Sequence, residues 1–232
     1  MPAPPASIDE LLARAHALAG LSVDELAERV GFSVEGAPVR TKGKVGELLE
    51  RALGATAGSA AELDFPELEV ELKTVPVGED GRPLESTFVC AFGLMDAERA
   101  SFETSWVRRK LSCVLFVPVM ELAGERRIRP AVLWSPTAEQ ERALKEDFDE
   151  IVGRIAIGDI EGLSAHVGSY MQLRPKAATG SVRTAAPGRD GELVSTVPRG
   201  FYLRARFVGA LLADPRALPP LPHARAEGES SE

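Results

Sequence analysis

The chain has 232 residues, a net charge of −8 and a pI of about 5.1, and its 44% hydrophobic content is typical of a globular protein. No apolar run approaches the roughly 18 residues that a membrane-spanning helix needs. The N-terminal segment MPAPPASIDE lacks the basic and apolar parts of a secretory signal. We therefore expect a cytoplasmic protein without a membrane segment, in which Cys90 and Cys113 are buried, reduced thiols.

Helical patterns occupy the first quarter of the chain. Ser7 and Ser22 each begin a capping-box pattern, with a glutamate three residues later, so each predicts the start of a helix. The second of these helices should end near Gly31. The apolar spacing of residues 45–53, followed by Gly54, predicts a third helix.

Strand patterns dominate the middle of the chain. Short runs rich in Val, Phe and Leu predict strands at residues 68–75, 87–92, 113–119 and 129–134. Because the turn-forming residues 78–83 separate the first two strands, we predict that those two form an antiparallel pair.

The chain after residue 136 is predicted to contain further helices and weaker strands. A long helix is predicted over residues 137–157 and a final helix over 203–213, with weak strand patterns at 171–173 and 193–197. The fold class is therefore α/β, with a mixed central sheet flanked by helices. We predict one domain over residues 1–213, followed by a proline-rich, disordered tail over 214–232.

The distribution of charge leaves the choice of partner open. An acidic chain argues against a nucleic-acid partner, because phosphate binding needs clustered Lys and Arg. Residues 171–206, however, contain seven cations and only two acids. Either one face of the protein meets an anion, or these basic loops are simply solvated.

Asp64 and the segment Glu71-x-Lys73 form the most informative pattern. Strand alternation would place Glu69, Glu71 and Lys73 on one face, with Asp64 at the entry to the strand. Two carboxylates can hold Mg²⁺, and a neighbouring lysine can orient the attacking water and offset charge on a phosphate. The pattern predicts metal-dependent phosphodiester hydrolysis. A strand with one solvated, charged face remains the alternative.

Other catalytic classes find no support in the sequence. His16, His166 and His223 are widely separated, so no histidine cluster has the spacing of a zinc site. The chain also lacks a glycine-rich loop of the kind that cradles phosphates.

A series of short motifs resembles one known family. In chain order they are GELLE (46–50), DF (64–65), VELKT (70–74), GRPLE (81–85), TFVC (87–90), LWSP (133–136), RPK (174–176) and PRGFYL (198–203). Over residues 7–213 the chain resembles the MutH family of DNA mismatch-repair endonucleases. The resemblance implies a restriction-endonuclease-like fold with two lobes around a DNA cleft. It also implies a monomer that nicks the unmethylated strand 5′ to G at GATC, uses Mg²⁺ and is activated by a MutL-type partner.

The resemblance also assigns roles to individual residues. It implies the catalytic residues Glu50, Asp64, Glu71, Lys73 and Lys110, of which the three carboxylates would hold the metal. It implies the DNA-binding residues Arg108, Arg174, Pro175, Lys176 and Tyr202, of which Tyr202 would sense the adenine methyl group. The aromatics Phe65, Phe88, Trp134 and Phe201 are predicted to serve in packing.

Two further functions stay open. A GATC restriction enzyme of the same fold would cut both strands, although such enzymes usually carry an added domain or dimerise. A DNA-binding module without catalysis is the other, but it would have no reason to keep Asp64, Glu71 and Lys73. Trp106 and Arg109 stand where the family leads us to expect histidines, which puts partner contacts and DNA clamping in question more than the chemistry.

Overall fold

A computed structural model describes residues 2–32, 42–57, 61–163, 167–176 and 181–220. The helices in this part of the chain are α1 (Ile8–Ala17), α2 (Val23–Val30), α3 (Lys42–Leu53), α4 (Trp106–Leu111), α5 (Ala138–Ala156) and α6 (Ala205–Ala213). The strands are β1 (Glu71–Val77), β2 (Thr87–Phe92), β3 (Val114–Leu122), β4 (Glu125–Ile128), β5 (Val132–Trp134), β6 (Met171–Pro175), β7 (Thr184–Pro187), β8 (Leu193–Thr196) and β9 (Arg199–Leu203).

A mixed sheet lies at the centre of the molecule, as predicted. Its middle strand β3 pairs in parallel with β1 and antiparallel with β4 and β5. A second, three-stranded sheet has the order β2-β9-β6 and is antiparallel throughout. Strands β7 and β8 form a separate hairpin.

The predicted antiparallel pairing of the first two strands is wrong. The turn forms, since the Gly78 amide donates to the Arg82 carbonyl over 2.9 Å. Nevertheless β1 pairs with β3, and β2 pairs with β9 in the other sheet. Both faces of β1 are covered by apolar side chains, a situation typical of strands in parallel pairs. Turn-forming residues thus predict where the chain reverses direction, but they do not determine which strand pairs with which.

Some predicted boundaries also shift. Pro66–Leu68 is a short 3₁₀ helix and Glu69 has φ 55°, so β1 begins at Glu71. Glu69 therefore lies outside the strand, and its predicted place beside Glu71 and Lys73 is wrong. The predicted strand 129–134 is likewise shortened to β5 (Val132–Trp134), and the unpredicted strand β4 (Glu125–Ile128) precedes it. Pro130, which cannot donate to a ladder, lies between the two.

The central sheet lies between two apolar cores. Leu115 and Val117 of β3 belong to a core that contains α1, α2 and α3. Val114 and Phe116 point the other way, into a core that contains α5, α6 and the three-stranded sheet. This alternation follows from the two-residue period of a strand. The central strands are consequently packed on both faces.

The segment after α6 continues along the protein surface. The Gln140 amide donates to the carbonyls of Pro215 (3.0 Å) and Ala217 (2.9 Å), and the Tyr170 hydroxyl donates to that of Pro219 (3.0 Å). Of the tail predicted to be disordered, residues 221–232 lie outside those described. Cys90 and Cys113 are both free, Cys90 buried and Cys113 half-buried. No helix in the described part of the chain has the length and apolar character that crossing a bilayer requires.

Candidate active site

Glu71 and Lys73 lie on the same face of β1. Glu71 is the first residue of the strand and is only 1% exposed. The Lys73 ammonium lies two residues further on and donates to Glu71 Oε1 over 2.5 Å. Leu72, between them, packs into the opposite core. The alternation predicted for this segment is therefore confirmed from Glu71 onward.

Lys110 reaches the same carboxylate from α4. Its Nζ atom donates to both oxygens of Glu71, at 2.8 and 2.9 Å, and to the backbone carbonyl of Glu62 at 3.1 Å. Helix α4 begins at a Ser105 cap, whose hydroxyl accepts from the Arg108 amide. Lys110 is 5% exposed, so a buried ammonium and a buried carboxylate compensate each other's charge.

Asp64 is fixed beside β1 by the backbone. Its Oδ2 atom accepts a hydrogen bond from the Leu72 amide over 2.7 Å. Two hydrogen bonds between the backbones of Phe65 and Val70 close the intervening loop. Burial raises the pKa of Asp64, and the nearby Glu71 carboxylate raises it further. Asp64 is thus held where its negative charge is poorly compensated.

Glu50 comes from the last part of α3. Burial raises the pKa of its carboxyl group, and the charge of Asp64 adds to that effect. The two carboxylates therefore share one electrostatic environment although they are 14 positions apart in the chain.

A cavity of about 690 Å³ brings these side chains together. We call it the carboxylate cavity; it is lined by Glu50, Asp64, Glu71, Lys73 and Lys110 among others. All five residues predicted to be catalytic thus meet in one place. Trp106 also lines it, with the Lys110 ammonium 5.6 Å from the centre of its ring. Burial raises the pKa of the neighbouring Cys90 thiol to about 11, so this thiol stays protonated near neutral pH.

The donor set of the carboxylate cavity fits a hard divalent cation. Carboxylate oxygens are the ligands that Mg²⁺ prefers, and Glu50 and Asp64 repel each other in a way that a cation would relieve. Among the residues described, however, no three His, Cys, Asp or Glu side chains form a ready-made cluster for one ion. Both oxygens of Glu71 are held by lysines. Oε1 accepts from both lysines and Oε2 from Lys110, so in the described contacts a metal would be ligated through the second lone pair of Oε2.

A second cavity, of about 800 Å³, adjoins the first. We call it the aromatic cavity; Arg174, Pro175, Lys176 and Tyr202 line it, so these four predicted DNA-binding residues lie together. Glu50, Leu72, Lys73 and Phe88 line both cavities, which makes them neighbouring parts of one depression.

Two cations rest on two aromatic rings inside the aromatic cavity. The Lys176 ammonium is 4.0 Å from the centre of the Phe88 ring, and the Arg174 guanidinium is 5.8 Å from that of Tyr202. The two rings meet edge to face at 5.1 Å. Phe88, which was predicted only to pack, thus contacts Lys176 and Tyr202 and also lines both cavities. Burial raises the pKa of Tyr202, so its phenol is neutral and can donate a hydrogen bond.

Gly200 makes room for this arrangement. A Cβ atom at this position would lie 2.7 Å from the Cys90 carbonyl oxygen and 2.8 Å from a carbon of the Phe88 ring. Only a residue without a side chain lets β9 approach β2 so closely.

Arg108 does not join the other predicted residues. Its guanidinium donates to Glu141 on α5 over 2.7 Å, and its side chain lines neither of the two cavities. Arg108 and Lys110 thus leave α4 in different directions. The predicted DNA-binding role of Arg108 stays a prediction.

The sequence reasoning missed several residues that line these cavities. Trp106 was noted only as a departure from the family, and Ser86 was not considered. Alternation along residues 87–92 would place Phe88 and Cys90 on the same face, and both line the carboxylate cavity. In the structure, the register of β2 shifts between these residues. No local pattern could have predicted that β2 faces β9.

Comparison with known proteins shows which family the chain is similar to. The family model described as "DNA mismatch repair enzyme MutH" matches residues 53–147. The chain is 46% identical over 212 residues to the DNA mismatch repair protein MutH of Haemophilus influenzae strain PittGG, covering 90% of this chain and 95% of that protein. It is 47% identical over 215 residues to the same protein of Shewanella amazonensis, covering 91% and 96%. Against that of Escherichia coli O6:K15:H31 the identity is 47% over 215 residues, covering 90% and 93%.

Proposed function

Because the chain belongs to the MutH family of DNA mismatch-repair enzymes and is thus a DNA endonuclease, we propose that it nicks one strand at GATC sites. The cut falls 5′ to G, on the unmethylated strand of hemimethylated or unmethylated DNA. The reaction depends on Mg²⁺. The fold is restriction-endonuclease-like, with two lobes around the cleft in which DNA lies.

The observation that carries the proposal is the Glu71 carboxylate between two lysines in a cavity that it shares with Asp64 and Glu50. Glu50, Asp64 and Glu71 would hold the metal, which when bound would activate water and stabilise charge on the phosphate. Lys73 would orient the attacking water and offset the charge that develops on the phosphate oxygens. Lys110, buried beneath Glu71, would fix the position of that carboxylate.

The aromatic cavity supports sequence recognition next to the reaction centre. Arg and Lys side chains pair with guanine O6 and N7 in the major groove, which suits Arg174 and Lys176. Tyr202 would lie against the adenine whose methyl group marks the strand. Since Lys73 and Glu50 line this cavity as well, the bases read and the phosphate cut would be close neighbours.

Regulation would follow from assembly of the site on DNA. Low intrinsic activity is expected if the lobes must close before metal and water align. We propose that the protein is a cytoplasmic monomer and that a MutL-type mismatch-repair protein favours the closed state.

A plasmid assay tests the proposal. Supercoiled DNA with unmethylated, hemimethylated or fully methylated GATC sites is incubated with the protein and Mg²⁺. Nicked circles from the first two substrates only are expected. Linear product would instead identify a restriction enzyme. Binding without any cut would identify an inert DNA-binding module.

A further inference from the structure

A buried glutamine lies next to the predicted methyl sensor. Gln172 belongs to β6, is 5% exposed and pairs in register with Tyr202 of β9. Tyr202 in turn pairs with Phe88 of β2. Residues directly opposite each other in an antiparallel sheet project from the same face. Gln172 therefore belongs to the row of side chains that faces the aromatic cavity.

The side-chain amide of Gln172 donates a hydrogen bond to Ser86. Its Nε2 atom donates to Ser86 Oγ over 2.7 Å, although the two residues are 86 positions apart. Burial of an amide is costly unless it is hydrogen-bonded, so this contact compensates a cost that an apolar side chain would not incur. The bond also ties the segment before β2 to the strand that carries Arg174.

The orientation of the Ser86 hydroxyl follows from this bond. Ser86 is half-buried and lines the aromatic cavity together with Lys73, Arg174 and Tyr202. A hydroxyl group has a single hydrogen to donate. Because Ser86 Oγ accepts from the Gln172 amide, its own hydrogen points away from that amide and is available to an acceptor in the cavity.

We propose that Ser86 contacts DNA by donating this hydrogen to an acceptor atom of the duplex, and that Gln172 is the positioning residue that orients it. This inference rests on the proposed function, since it concerns the DNA seated in the aromatic cavity. The acceptor is either a phosphate oxygen or a base-edge atom. The two share hydrogen-bond chemistry but differ in what they do to sequence preference.

The test measures binding of the full chain to short duplexes without divalent metal, so that no cleavage interferes. We expect Ser86→Ala to weaken binding of a GATC duplex about three- to tenfold, the effect of losing one hydrogen bond. Ser86→Thr, which keeps the hydroxyl, should bind much more tightly than Ser86→Ala. Gln172→Met, similar in length but without the amide, should weaken binding to a smaller extent. Ser101→Ala is the matched control, because Ser101 is also half-buried but lines neither cavity.

Duplexes with one substituted base pair separate the two acceptors. Equal weakening on GATC and on substituted duplexes supports a phosphate contact, whereas weakening on GATC alone supports a base contact. Thermal denaturation identifies any variant that is misfolded. If the wild-type chain binds the duplex and Ser86→Ala binds as well as Ser101→Ala, the inference is wrong and the proposed function stands. A wild-type chain that binds no duplex would overturn both.

Discussion

Lys110 grips both carboxylate oxygens of Glu71 although 39 positions separate the two residues. The parallel pairing of β1 with β3 explains how they meet. Glu71 lies opposite Val114 at the start of β3, and its amide donates to the Cys113 carbonyl over 2.9 Å. Helix α4 ends just before that point, so its last turn delivers Lys110 to the first residue of β1.

Removing the ammonium of Lys110 should affect both stability and activity. In Lys110→Met, Glu71 keeps only Lys73 as a partner. We expect a loss of about 3 kcal/mol in the free energy of unfolding, at the lower end for a broken buried pair because Lys73 remains. Nicking should fall at least about 100-fold. Urea denaturation and plasmid nicking measure the two effects. Unchanged stability would show that the pair is not formed in solution.

Glu71→Ala and Lys73→Ala should separate catalysis from binding. Glu71 lines the carboxylate cavity and Lys73 lines both cavities, whereas the predicted base-reading residues Arg174, Lys176 and Tyr202 line the aromatic cavity and not the carboxylate cavity. We therefore expect each variant to lose at least about 100-fold in nicking and to keep its affinity for GATC DNA. Gel-shift and nicking assays on the same preparations test this. A variant that cuts at nearly the wild-type rate would refute the assignment of the active site.

The pH dependence of nicking should reflect the raised pKa values of Asp64 and Glu50. A carboxyl group must lose its proton before it binds metal. Because the pKa of each group lies above its ordinary value, activity should decline at a higher pH than ordinary carboxyl groups would cause. The pH–rate profile at several Mg²⁺ concentrations is the measurement, and more metal should shift the acid limb to lower pH. An acid limb that ignores Mg²⁺ would contradict the prediction.

The same shift predicts a stabilising effect of Glu50→Gln in metal-free protein. A raised pKa in the folded state means that the folded protein binds the proton more tightly, so this group lowers stability as pH rises through its folded pKa. Without the charge, Tm should rise by about 1–2 °C near pH 7 and stay unchanged near pH 4. Thermal denaturation in chelator measures it, and exposed Glu79→Gln is the control. Equal shifts at both pH values would rule out an electrostatic cause.

Strand discrimination should depend on Tyr202. Its ring packs edge to face on Phe88 and lies under Arg174, so Tyr202→Ala removes the surface between them. We expect the ratio of nicking rates on unmethylated and fully methylated DNA to fall at least about tenfold, since one good base contact is worth that much. Tyr202→Phe keeps the ring but removes the hydroxyl, so it measures the contribution of the hydroxyl alone. Unchanged discrimination in Tyr202→Ala would place methyl sensing elsewhere.

Local chemistry made some of this structure predictable. The predicted N-caps at Ser7 and Ser22 both form and α1 and α2 begin directly after them, although the full capping box is present at Ser22 and not at Ser7, whose Glu10 accepts from the Ala6 amide instead. The alternation of Glu71 and Lys73 likewise needs only the geometry of a strand. Such features depend on residues within a few positions of one another.

Long-range packing decided the rest. Glu50 and Lys110 come from separate helices, and only the family resemblance pointed to them. They meet Glu71 because β1 pairs with β3. That pairing is favoured because it buries both faces of β1. Glu69 was wrongly predicted to lie in the strand. Its left-handed backbone conformation places it outside β1, although its sequence neighbours favour a strand.

The two cores on either side of β1 and β3 make these strands more rigid than the surface of the protein. Strands clamped from both sides open only with global unfolding, so their amides should exchange with solvent last. Glu71 and Lys73, which we propose act in catalysis, therefore lie on a strand that is packed on both faces. Arg174 and Lys176, which we propose read the bases, are instead exposed at the end of β6 and rest on the Tyr202 and Phe88 rings. The residues proposed to cut DNA are thus anchored in the protein core, whereas those proposed to read its bases lie at the surface, where they can adjust to the duplex.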